Sequence, residues 1–259
     1  MKYCTSYAQN EDIRKLVNEI RFPVSLLNRA IEYGIDHKDK RIIVEIRNLH
    51  NEKMPSIDQL KDLLVENTNF SLDFYILSDL IEFSKAGGVN LMYHYPVITW
   101  GLVQILSYYK VSDITIAEPL FFSMEKIKKN IKCNIRVCPC IAKQKIEYNV
   151  KNDYGIQHSF ILPQHMPLYE KYIDVLDLMD SNIDREATLV QVYIKAKSYI
   201  GPLDALVSGI ETQLPASIID EEFVQKRLNC NQVCMENLDN CHYCPMYLSL
   251  FNTIKDNRI

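Results

Sequence analysis

Short β-rich runs in which apolar and polar positions alternate recur along the chain, and stretches with helical spacing stand between them as far as about residue 180. That alternation is the mark of parallel βαβ units. The runs are Lys2 to Ser6, Arg41 to Arg47, Ser71 to Leu77, Val89 to Tyr95, Asp113 to Glu118, Asn134 to Cys140, His158 to Pro163 and Asp174 to Met179. The segment from Asn10 to Asp39 is read as two helices around Pro23. Helix signals fall where the scheme needs them. Ser56 precedes IDQLKDLLVEN with Gln59 three residues on, a capping-box spacing, and Ile57, Leu60, Leu63 and Leu64 form one stripe. Ser78, Thr99 and Ser123 are candidate caps, Gly87-Gly88 a left-handed terminator, and the helix from Asp184 to Ile200 stops at Gly201-Pro202. The pattern predicts a (β/α)8 TIM-type barrel over residues 1–202, its strands ending near 182, and a Cys-rich tail over 203–259. An open doubly wound sheet is the alternative, since strand closure leaves no trace in sequence.

The same alternation sorts polar residues by face. In a barrel strand the apolar set packs on the helices, so the other set points inward and toward the C-terminal mouth, where barrel enzymes carry their chemistry. This places Glu45 and Arg47, Asp73 and Tyr75, Asn90 and His94, and Arg136 inward, with Asp177 joining them in the last strand. Glu118 falls on the apolar face. Glu45, Asp73 and His94 are the candidate catalytic groups, because carboxylates and imidazole move protons, and Arg47 and Arg136 are candidate binders of an anionic substrate. The plainer alternative is that the carboxylates and arginines pair with one another as a structural network, and that His94 is a core histidine.

Composition narrows the classes. A net charge of −4 gives no general attraction to nucleic acid, and the one basic cluster, EKIKKNIK, reads as the solvated face of an amphipathic helix. The sequence holds no apolar run near the ~20 residues of a membrane span, and the N-terminus lacks an apolar signal region. A soluble cytoplasmic protein is expected, and in that compartment eight cysteines suggest metal or redox chemistry more than disulfides. No glycine-rich loop follows an expected strand, which disfavours a dinucleotide or phosphosugar ligand.

Cys230, Cys234, Cys241 and Cys244 stand in LNCNQVCMENLDNCHYCPM, close enough for four thiolates to surround one ion. Zinc or a [4Fe-4S] cluster would accept that set, with zinc the first choice, and spacing does not separate the two. Cys138 and Cys140, in KCNIRVCPC, share a strand face with Arg136. Either they point into the mouth, where Cys4 of the first run could join them, or they are small buried hydrophobes. Cysteines after the sixth run, then YIDVLDLMDSNIDREATLVQVYIKAKSYI and further cysteines, resemble in layout the U32 peptidase-like family over roughly residues 89 to 200. The resemblance implies an iron-sulfur protein acting in hydroxylation of tRNA or quinone precursors. VCPCIA stands where that family has His-Gly-Ala-x-Cys and LDLMDSN where it has Lys-Ile-Glu-Gly-Arg, so no catalytic residue is carried over. The leading expectation is a barrel enzyme, metal- or cluster-dependent, for a small polar or anionic substrate. The other is a non-catalytic barrel scaffold whose zinc-knuckle tail binds protein or nucleic acid.

Overall fold

The computed structural model describes residues 1–47, 54–75, 79, 83, 88–93, 100–116, 121–139, 161–195, 198–206 and 215–228. Its eight strands are β1 (Lys2–Ser6), β2 (Glu19–Pro23), β3 (Arg41–Ile46), β4 (Phe70–Phe74), β5 (Val89–Tyr93), β6 (Asp113–Ile116), β7 (Asn134–Val137) and β8 (Val175–Asp177). Each pairs in parallel with the next, and β8 returns to β1 through Lys2↔Val175, Tyr3↔Leu176 and Cys4↔Asp177, closing the barrel. The described helices are α1 (Glu11–Leu16), α2 (Leu27–Asp36), α3 (Ile57–Glu66), α4 (Trp100–Tyr108), α5 (Phe121–Asn130), α6 (Met166–Tyr169), α7 (Ile183–Lys195) and α8 (Glu221–Leu228).

The apolar positions of the strands build the layer between sheet and helices. Ile42, Val44 and Ile46 of β3 join Leu72 and Phe74 of β4 in one buried cluster with Leu60, Leu63 and Leu64 of α3. Burying such side chains stabilises by about 1.5–3 kcal/mol each. The stripe on α3 follows its sequence spacing, and its start is fixed by the expected capping box: Ser56 accepts from the Gln59 amide and Gln59 from the Ser56 amide. Gly88 has φ +62°, and a Cβ there would meet the Phe70 carbonyl oxygen at 2.9 Å, so the pre-β5 turn requires glycine.

The strand count is as expected, but one strand is elsewhere. Of the expected run His158 to Pro163, the described residues form no strand. Residues 158–160 lie outside the described residues, and Ile161 and Leu162 lead into a 3-10 turn, Pro163–His165, and then α6. Pro163 and Pro167 suit the first turns of helices better than a central strand, where each would remove a ladder hydrogen bond. The missing strand is β2, inside the segment read as two helices. Its sequence, EIRFP, alternates polar and apolar with period two, and Pro23 ends the strand instead of linking helices. Two helix bounds also shift: α5 begins at Phe121, ahead of the expected cap Ser123, and α7 is described as far as Lys195, with residues 198–200 not helical. Ser78 and Thr99 lie outside the described residues.

Candidate functional site

β2 changes what the barrel holds. Glu19 and Arg21 stand on its inner face, and their closest partners come from strands that are not its neighbours, which only the interior allows. Glu19 of β2 accepts from Arg136 Nη1 of β7 at 2.5 Å. Arg21 Nη2 lies 2.5 Å from Asp73 Oδ2 of β4 and 2.6 Å from Asp177 Oδ2 of β8. Arg21, Asp73 and Asp177 come from even-numbered strands, as expected of one layer in a barrel whose inward side chains stack by alternate strands.

From the N-terminal face upward the contacts form a ladder of alternating charge. Arg41 is bidentate to Asp113 and 3.7 Å from Glu19, Glu19 holds Arg136, and Arg136 Nη2 is 3.8 Å from Asp177. Asp177 and Asp73 share Arg21, and Asn90 Nδ2 donates to Asp73 Oδ1 at 2.7 Å and to Thr115 Oγ1 at 3.3 Å. All except Arg41 are buried. Burial opposes ionisation of Asp113, yet hydrogen bonds from Arg41 and Asn134 outweigh it and hold this carboxyl below its ordinary range. At Asp73 burial prevails over Arg21, Arg136 and Asn90, and its carboxyl is raised. Among the described residues, Cys4, Ile43 and Val175 form a small apolar group inside the barrel. Burial keeps Cys4 a thiol and pushes Cys133 to about 12, so both behave as small hydrophobes.

Above the ladder, at the C-terminal ends of β3 and β4, the Tyr75 hydroxyl donates to Glu45 Oε1. Burial, and then that hydrogen bond, raise the Tyr75 phenol, which stays a donor at neutral pH. Arg47 Nε lies 3.3 Å from Glu45 Oε1, with 79% of its side chain exposed. Across the mouth, Arg21 Nη1 is 3.3 Å from Met179 Sδ, and Glu186 of α7 is fully buried against the end of β1. Glu186 accepts from Thr5 Oγ1, from the Ser6 amide at 2.6 Å and from Ser6 Oγ at 2.9 Å.

The residues singled out from sequence therefore separate by depth. Glu45 and Arg47 meet Tyr75 at the mouth, while Asp73 and Arg136 lie below it in the closed interior, bonded to Arg21 and Glu19. Asp177 is inward. His94, Glu118, Cys140, Cys230, Cys234, Cys241 and Cys244 lie outside the described residues. Among the described residues no group of three or more His, Cys, Asp or Glu side chains is arranged to hold a metal, and no helix is long and apolar enough to cross a membrane. Sequence reasoning passed over Glu19 and Arg21, whose signal was the alternation in EIRFP, and Glu186, which carries no local signal because its partners are 180 and 181 positions away.

Fold and interior together define the chain as a parallel eight-stranded α/β barrel with an ionic core. No family model and no curated protein matches the sequence.

Proposed function

We propose that the chain is a barrel enzyme acting on a small polar or anionic substrate at the C-terminal ends of β3 and β4. The observation that carries this is the Glu45–Tyr75 hydrogen bond topped by the exposed Arg47, a proton acceptor, a proton donor and a cation on neighbouring strand ends. That is the face on which barrel enzymes place their chemistry. Arg47 draws and orients the anion, Glu45 accepts a proton from the substrate, and Tyr75, kept neutral by burial, donates to the oxygen that gains charge. Asp73 and Arg136 support this pair from beneath. Cys230, Cys234, Cys241 and Cys244 bind zinc or a [4Fe-4S] cluster in the tail.

A specific observation also favours the scaffold reading, because the interior acids and arginines are paired with one another. Such a network stands without any chemistry. The two readings part in a thermal-shift screen of small carboxylates, phosphates and neutral polyols against wild type, Glu45→Gln and Arg47→Ala. The enzyme reading expects an anion that raises the melting temperature of wild type, with the shift lost in Arg47→Ala and reduced in Glu45→Gln. Identical shifts in all three proteins, or none with any compound, would leave the scaffold standing.

A further inference from the structure

Two of the buried carboxylates rely on one nitrogen. Asp73 Oδ2 and Asp177 Oδ2 approach the same Nη2 of Arg21, at 2.5 and 2.6 Å, so the two oxygens are no farther apart than those distances combined. Nη1 of Arg21 is turned to Met179 Sδ instead. Arg136, the next cation, spends Nη1 on Glu19 and reaches Asp177 only at 3.8 Å. Along the ladder three arginines, Arg21, Arg41 and Arg136, face four carboxylates, Glu19, Asp73, Asp113 and Asp177. Two buried carboxylates this close repel each other as anions, which favours a proton on one of them.

We propose that Asp73 carries a proton beside Asp177, so that the centre of the barrel is a built-in protonation site beneath Tyr75. The surroundings select Asp73. Asp177 has two cations beside it, Arg21 and Arg136, and the Cys4 thiol of β1. Asp73 has Arg21 on one oxygen and, on the other, the uncharged Asn90 amide of β5, which serves a carboxylic acid as well as a carboxylate; Arg136 acts on it through its field, without the 3.8 Å approach it makes to Asp177. The remaining charged groups are committed elsewhere: Glu19 to Arg136, Asp113 to Arg41, and Glu45 of β3 to Tyr75 and Arg47. The raised carboxyl of Asp73 agrees with this placement. Neutral Asp73 leaves Arg21 to Asp177, and it stands two residues before Tyr75, which directly follows β4. The site stands whether or not the mouth is catalytic.

Asparagine mimics a protonated aspartate, which gives a test by sign. A free carboxyl in the unfolded chain ionises near pH ~4, whereas folded Asp73 keeps its proton to higher pH. Wild type must then lose stability relative to Asp73→Asn as pH rises above that value. The melting temperature of Asp73→Asn minus that of wild type is expected to grow more positive from pH 4 to pH 8, and Asp177→Asn to melt below Asp73→Asn at pH 7. Infrared spectra of wild type in deuterated buffer at pH 7 are expected to show a carboxylic-acid carbonyl band that Asp73→Asn lacks. A difference that stays flat from pH 5 to pH 8, or that grows more negative just above pH 4, as an ionised Asp73 held by Arg21 would produce, overturns the proposal. So does the absence of that band from wild type, a measurement that stands even where the variant fails to fold.

Discussion

At the scale of single residues the barrel is governed by what a buried charge requires. Arg136 is among the largest fully buried side chains, and its cost is offset chiefly by Glu19, which meets it at 2.5 Å. Pairs of this kind add little over a well-packed apolar substitute, but removing one partner strands the other. Arg136→Met should therefore lower stability by about 3–5 kcal/mol, read from the denaturant midpoint, through the uncompensated Glu19. Converting both positions to apolar residues should recover much of that loss. A single variant as stable as wild type would show that Glu19 is satisfied by Arg41 alone, which stands 3.7 Å away.

At the scale of elements, the closing seam between β8 and β1 has a fastener outside the strand ladder. α7 follows β8 and sends Glu186 back to the end of β1, where one carboxylate takes two hydroxyls and a backbone amide. Hydrogen bonds to a charged group contribute about 1.5–3 kcal/mol each, and the buried donors left behind add a further cost. Glu186→Ala is expected to destabilise by about 3 kcal/mol or more. Hydrogen exchange should then quicken first in β1 and α7, with β4 to β6 protected for longer. Uniform loss of protection would mean that the seam opens only with the whole barrel.

On the scale of the whole molecule, the barrel and the cysteine quartet are expected to be separable. The barrel closes on strands that end at Asp177, well before Cys230. If the four thiolates ligate one ion, replacing Cys241 and Cys244 by serine should abolish stoichiometric bound metal while the barrel keeps its circular dichroism. Metal analysis with a visible spectrum after anaerobic purification checks this. Brown protein identifies a cluster, and colourless protein with one zinc per chain identifies a zinc site. Unchanged metal content in the double variant refutes the assignment.

Much of this architecture was legible in the sequence because it depends on local period. Alternation in RIIVEI and SLDF sends Ile42, Val44 and Leu72 to the helices and Glu45 and Asp73 inward whatever the rest of the chain does. The Ser56 capping box is likewise a matter of three residues' spacing. β2 was legible in principle, but its alternation is brief and Pro23 gives the same punctuation to a strand end as to a helix start. Depth was not legible. Alternation says that Asp73, Arg136 and Glu45 face inward, yet only closure of the barrel and the stagger of its strands set Glu45 at the mouth and the other two below it. Partnership was decided by tertiary structure as well: Glu19 and Arg136 are 117 positions apart, and Arg21 and Asp177 belong to strands separated by β1. Charges so distant in sequence become neighbours only when eight strands close on a common axis, and there the low dielectric makes pairing obligatory.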